Sequence, residues 1–443
     1  MIRSIFVTCL WMGLLSATMG QEVQTFSMND AINYSYEHHL NMKLAENKIR
    51  TAEEQKVETR AIGLPQVNIG VDYNHFLKLP TTLIPKQFFD PTAPEGEFGE
   101  VSFGTKNNLT ASATLSTLLF DGQYLTALKA SQVLTEYARI DYQNDKAHLR
   151  DAVKKAYLPP LLISENIITI QENINVLDKM YRETNEMFKA GFVEKLDVDK
   201  LYLSLDNMKV TLDDLEKAYK TAIDALKIQM GYPLEQELQL LESVEALSSP
   251  LVDFNDDAEV DYMQRTDYVL LEETKELQKL NIDRYKKGYW PTLNGFINYQ
   301  QQVQGDNLFD NPSSTPASIA GLQLKIPIFD GFYKKAMKAQ AQINLENIGH
   351  SQQLLKKGID LQVKMAHRNY KNALEKIESR QRNVDLAERI FEVSQIKYKE
   401  GMGSSIEIIQ AEQSLFQSQQ NYIQSLYDFI IAKIDLEIAY GQD

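Results

Sequence analysis

The stretch LLFDGQYLTALKAS (118–131) returns later in the chain as PIFDGFYKKAMKAQ (327–340), and this return decides the fold. Phe120-Asp121-Gly122 and Phe329-Asp330-Gly331 lie 209 positions apart. Downstream, FKAGFVEKLDVDKLYLSL (188–205) matches YKEGMGSSIEIIQAEQSL (398–415) at an offset of 210, and Gly231 and Gly441 share that offset. Upstream, Leu64-Pro65 answers Trp290-Pro291 at an offset of 226, so the first copy carries about 17 extra residues between the proline and the Phe-Asp-Gly. Self-similarity on this scale means one structural unit used twice.

Each copy reads as helix, strand, long loop, strand, very long helix, turn and helix. In the first copy Val67, Ile69, Val71 and Tyr73 alternate with Asn68, Gly70, Asp72 and Asn74, a strand period. Leu109, Ala111, Ala113 and Leu115 alternate in the same way with Thr110, Ser112, Thr114 and Ser116. The second copy alternates Leu293, Gly295, Ile297 and Tyr299 with Thr292, Asn294 and Asn298, then Leu322, Leu324, Ile326 and Ile328 with Gln323 and Lys325. The expected strands are 66–74, 107–119, 292–300 and 318–328. Each is near the ~9–11 residues that cross a bilayer when tilted, and one face of each is apolar. A half-buried soluble sheet has the same period, so the alternation alone leaves both readings open.

After each Phe-Asp-Gly comes a helical pattern of about 68 residues, a rod of roughly 100 Å. Such rods need partner helices along their length, which 195–230 and 405–440 can supply by returning antiparallel after a short turn. Pro159-Pro160 interrupts the first rod and is expected to kink or break it. The chain therefore reads as a leader over 1–20, a first copy over 21–234, a linker over 235–257 and a second copy over 258–443. The leader has Arg3, the apolar run Ile5 to Leu15 and small residues before Gln21, the pattern of a cleaved secretory signal.

Four strands cannot close a barrel, and lipid does not tolerate open sheet edges. Two chains would give eight strands and three would give twelve. Eight leave an interior that side chains fill, whereas more leave a channel. Three chains also supply twelve helical segments to ring a continued lumen, which favours a trimer. Tyr73, Phe76, Phe120, Tyr299 and Phe329 lie in or beside the strands and suit an aromatic girdle at the lipid interface, or plain packing.

Composition narrows the function. The net charge is −15, or −16 once Arg3 leaves with the leader, which argues against nucleic acid and suits a cation-favouring surface or lumen. Cys9, the only cysteine, lies in the leader, so the rest of the chain has no disulfide or thiolate metal site. No phosphate-binding loop, GxSxG or HExxH occurs, and the histidines and methionines are scattered. The expectation is no catalytic residues, no cofactor and no metal site.

The duplicated pattern, the Phe-Asp-Gly before each rod, and YKEGMGSSIEIIQAEQSLFQSQQNY (398–422) resemble the TolC family of outer-membrane efflux proteins, over 27–443. The resemblance implies a membrane α/β fold in which an internally duplicated chain gives four transmembrane β-strands plus long antiparallel coiled-coil helices. It implies a homotrimer with one twelve-stranded β-barrel in outer-membrane lipid, continued by an α-helical periplasmic tunnel in a Gram-negative bacterium. It also implies a passive exit duct that works with a periplasmic adaptor protein and an inner-membrane pump. The family narrows its tunnel at the turns between each rod and its return helix, here around Gly191 and Gly401. Its acidic constriction falls at Glu407, an acid of its gate network at Asp197, and its gate tyrosine at Tyr398. A second acid of the family is Gln410 here, and the basic residue of the network would fall at Gly403, so one acidic ring and one latch are absent or built differently.

Three carboxylates converging on a narrow axis would favour cations. Asp197 and Glu407 also suit a solvated helix start, where acids are welcome against the helix dipole. Gly191 and Gly401 suit tight helix–helix turns in either case. A different class of protein, a periplasmic coiled-coil adaptor or scaffold, would explain the rods and the leader but not four amphipathic strands placed at matching points of a repeat.

Overall fold

The computed structural model describes residues 24–250 and 260–441; the expected leader with Cys9, and residues 251–257 of the expected linker, lie outside them. The elements run in chain order as β1 (Gln24–Phe26), α1 (Met28–His38), α2 (Leu40–Ala61), β2 (Gln66–His75), β3 (Thr81–Pro85), β4 (Phe98–Ser102), β5 (Asn107–Phe120), α3 (Gly122–Lys189) and α4 (Lys195–Met230). Then follow β6 (Leu238–Leu240), α5 (Val244–Leu247), α6 (Thr266–Lys287), β7 (Thr292–Gly305), β8 (Ser313–Lys325), α7 (Tyr333–Lys399) and α8 (Ser405–Tyr440). No helix among the described residues is long and apolar enough to cross a membrane.

The chain forms two compact units, each drawing on both copies of the repeat. One gathers the residues up to Asn47, Ile140–Val269 and those from Gln353; the other gathers Lys48–Arg139 and Leu270–Gln352. Helices α3 and α7 contribute residues to both.

The unit of Lys48–Arg139 and Leu270–Gln352 holds an antiparallel four-stranded sheet in the order β2-β5-β7-β8. Strands β5 and β7 pair along nearly their whole length, so the central strand pair joins one copy to the other. The register aligns Val67, Leu115, Ile297 and Ala320 across the four strands, and beside them Ile69, Ala113, Tyr299 and Ser318. The next rows on the opposite face align Asn68, Thr114, Asn298 and Ile319, then Gly70, Ser112, Gln300 and Ala317. Because successive side chains point to opposite faces, one side of the sheet is aliphatic and the other is mainly Asn, Gln, Ser and Thr. Strands β2 and β8 are the edges, with no partner on their outer sides in the sheet.

Three features of this unit depart from the sequence reading. Strand β7 runs on to Gly305, because the Gln-rich continuation 300–304 keeps pairing with β5 and β8. Strand β8 starts at Ser313 and stops at Lys325, leaving Ile326 and Ile328 outside it, where Pro327 has no N–H to offer a neighbouring strand. The loop expected over 75–106 contains the antiparallel pair β3–β4, aligned Leu83 to Glu100.

The other unit packs α3 with α4 and α7 with α8. One core gathers Ile170, Leu177, Leu201, Leu205, Phe391, Ile408 and Leu415 from all four helices. A second gathers Phe26, Tyr157, Leu158, Leu161, Leu226, Leu426 and Ile430, and beside it β1 pairs parallel with β6. The Tyr157 hydroxyl donates to the Phe26 carbonyl at 2.9 Å, and Glu242 accepts from the Met28 N–H at 2.9 Å, fastening the start of α1. The break that Pro159-Pro160 could have caused does not occur: α3 is one unbroken helix through both prolines. Tyr157, Leu158, Leu161 and Leu162 all face the second core, and burying each is worth about 1.5–3 kcal/mol. Together, at about 6–12 kcal/mol, they offset the roughly 3 kcal/mol or more that each of the two helical prolines costs.

Candidate functional site

The turns that end the long helices are built alike. Lys189 ends α3 and Lys399 ends α7, and Gly191 and Gly401 follow with φ of 80° and 73°. Phe192 N–H donates to Met187 O at 2.9 Å and Gly191 N–H to Phe188 O at 2.9 Å, while Met402 N–H donates to Lys397 O at 2.8 Å and Gly401 N–H to Tyr398 O at 3.1 Å. This paired pattern satisfies the last carbonyls of a helix and requires a left-handed residue, which glycine adopts without strain.

Four residues beyond each glycine, the return helices begin. Asp197 and Glu407 occupy the same third position of α4 and α8. Glu407 is exposed, and its backbone N–H donates to the Ser404 hydroxyl at 3.3 Å, the cap of α8. Asp197 is half-buried and accepts a hydrogen bond from the Ser405 hydroxyl of α8, with Lys200 at 3.9 Å. The Tyr398 hydroxyl lies 3.2 Å from Thr184 Oγ1 in a buried pair. Burial pushes the Tyr398 phenol above its usual range; the bond to Thr184 opposes this and the nearby Asp197 carboxylate adds to it. Thr184, Asp197, Tyr398 and Ser405 thus bring one polar side chain each from α3, α4, α7 and α8 to one place.

Gly403 closes against the end of α7. Its N–H donates to Lys397 O at 3.1 Å, and a Cβ there would lie 3.2 Å from Lys397 Cβ and from Tyr398 N. A longer side chain has no room without shifting that turn. The link between α4 and α8 is made instead by Ser405, which sequence reasoning missed because its partner lies 208 residues away. Gln410 is exposed one turn beyond Glu407.

The two strand-to-helix junctions differ. Asp121 accepts from the Gln123 and Tyr124 N–H groups at 2.6 and 3.2 Å and so caps α3 directly. Phe120 stacks parallel to Trp290 at 6.2 Å, and a Cβ on Gly122 would lie 2.9 Å from the Trp290 ring. In the second copy Gly331 and Phe332 both have positive φ, 65° and 66°, and α7 starts only at Tyr333. Asp330 accepts from the Lys334 N–H at 3.2 Å, and Phe329 meets Phe332 edge-on at 5.4 Å.

Among the described residues no group of His, Cys, Asp and Glu is arranged to hold a metal ion. The family model described as "Outer membrane efflux protein" matches residues 279–442. Outer membrane protein TolC of Vibrio cholerae is 20% identical over 342 residues, covering 75% of this chain and 76% of that one. Outer membrane protein TolC of Escherichia coli is 20% identical over 398 residues, covering 87% and 76%. The solved structure of CusC superposes with a TM-score of 0.72 at 16% identity, covering 94% of this chain and 92% of that one. The fold is that of the TolC-like efflux channels, and over residues 279–442 the chain matches the outer membrane efflux protein family, whose TolC relatives are outer-membrane proteins.

Proposed function

We propose that three copies of this chain close their sheets into one twelve-stranded barrel and act as the exit duct of a tripartite efflux or secretion system. The observation that carries this reading is the sheet itself. It has two unpaired edges, β2 and β8, an aliphatic face with Ile69 79% and Leu322 72% exposed, and an opposite face of amides and hydroxyls. Edges of this kind are satisfied in lipid only by closure. Closure with twelve strands sets the aliphatic face in lipid and the polar face around water.

On this reading an inner-membrane pump supplies the energy and a periplasmic adaptor connects it to the duct, which carries out no catalysis. The constriction lies at the turns around Gly191 and Gly401. Glu407 from each chain faces the path as a cation-favouring ring, and the Asp197–Ser405 and Tyr398–Thr184 pairs hold the closed arrangement. Opening is then an exchange between two packings of these helices. Purified protein in a planar bilayer is expected to give discrete cation-favouring conductance steps. A protein that dissolves without detergent and never conducts would remove the duct reading in favour of a periplasmic scaffold.

A further inference from the structure

Helix α8 buries a carboxyl group that nothing balances. Glu412 is 4% exposed, and its Oε1 has no hydrogen-bond partner. Its Oε2 receives one long bond, 3.4 Å, from the Ser204 hydroxyl of α4. Around it lies the apolar core that includes Leu201, Leu205, Ile408 and Leu415. Glu412 and Ser204 face each other across the same two helices that the Asp197–Ser405 bond ties together.

The charged groups of the surrounding elements are engaged or turned away. On α4, Lys200 is beside Asp197. On α3, Asp178 pairs with Arg182 at 2.8 Å and Glu183 with Lys399 of α7 at 3.3 Å. On α7, Asp385, Glu388, Arg389 and Glu392 are exposed, and on α8 so is Glu407. The titratable members of the core itself are Tyr398 and, at its margin, Tyr181. An ionised carboxylate at this place would have lost its water and gained no counter-charge, so the site accommodates the neutral acid.

We propose that Glu412 is a proton-binding site that holds the α4–α8 contact closed when occupied and releases it when the proton leaves. The chemistry is one O–H bond broken, with the proton passing to solvent and the carboxylate drawing water in. That release opens a passage rests on the duct reading; the proton site itself does not.

Burial pushes the Glu412 carboxyl up to about 7, the weak Ser204 bond opposing this. The pKa is raised in the packed state, so the packed contact is most stable in acid and weakens as pH rises through about 7. Taking an ordinary carboxyl for the open state, the opening equilibrium grows about tenfold between pH 6 and pH 8.

The test is hydrogen exchange of the 405–415 backbone in the full-length protein in detergent, corrected for intrinsic exchange, with conductance measured in parallel. Protection is expected to fall about tenfold from pH 6 to pH 8 in the native protein and to stay flat in Glu412→Gln, which keeps the shape without the titration. Ser204→Ala removes the one donor to the carboxylate and should move the transition to higher pH, a second readout if Glu412→Gln fails to fold. Flat protection in the native protein, or the same pH response in Glu412→Gln, overturns the proposal even where the channel conducts. A pH-dependent exchange that Glu412→Gln abolishes, with no conductance in any variant, upholds the proton site and removes the duct reading instead.

Discussion

Replacing Ser405 with alanine isolates the bond between the two return helices. Ser405 is 3% exposed, and alanine fills the same space less one oxygen, so little packing is lost. What disappears is the hydrogen bond donated to Asp197. A bond to a carboxylate is worth about 1.5–3 kcal/mol, but the Asp197 side chain is 25% exposed and Lys200 stands 3.9 Å away, so about 1 kcal/mol per chain is the net loss. If three chains open together, the loss is about 3 kcal/mol, which shifts the closed-to-open balance by roughly 150-fold. Single-channel recording in planar bilayers reads this as a rise in open probability with unchanged unit conductance. An open probability within about threefold of the native protein would mean that the Asp197–Ser405 bond does not hold the closed state.

Four further outcomes follow from the same geometry. Tyr398→Phe removes the hydroxyl that meets Thr184 and should raise open probability in the same direction, by about 1 kcal/mol per chain, in the same recordings. Glu407→Ala leaves the α8 cap on Ser404 in place, so thermal stability should hold while reversal potentials show weaker preference for cations; unchanged selectivity would remove Glu407 from the path. Gly401→Ala meets no neighbouring atom within 4 Å but forces alanine to φ 73°, costing about 1–2 kcal/mol, which should appear as a Tm a few degrees lower. Ile69→Lys places a charge on the aliphatic face and should cost about 2–4 kcal/mol in urea titrations of lipid-embedded protein, whereas Asn68→Lys on the polar face should cost far less.

Much of the fold was legible because the chain repeats itself. A period of two in Val67 to Tyr73 and again in Leu293 to Tyr299 fixes which face of the sheet is aliphatic, and the observed register puts those residues in shared rows. Gly191, Gly401, Gly231 and Gly441 mark helix ends because the paired cap needs a left-handed residue, and all four have positive φ. Pro159-Pro160 does not break α3 because Tyr157, Leu158, Leu161 and Leu162 are anchored in a core whose other members come from distant segments, which a local reading does not see. The full length of β7 was hidden because Gln300 to Gln304 have no apolar alternation; backbone pairing to both neighbours extends the strand.

At the candidate gate, the acids and the tyrosine were expected only from the resemblance to the family, and their partners were not legible at all. Ser405 reads locally as an ordinary residue of a helix start, and only the packing of α4 against α8 brings its hydroxyl to Asp197. Glu412 shares the helix face of Ile408, Ala411 and Leu415, so the helical period places it on the apolar side, but only the packing shows that no counter-charge meets it there. Tertiary placement therefore supplied the link and the lack of a counter-charge, and local sequence supplied the turns.

The central claim is that the open sheet is completed by two further copies of the chain. The most direct measurement is the protein mass of the detergent-solubilised particle by light scattering, corrected for bound detergent. Three chain masses are expected. A single chain mass, stable in detergent or free of it, would leave β2 and β8 unpaired and contradict the shared barrel.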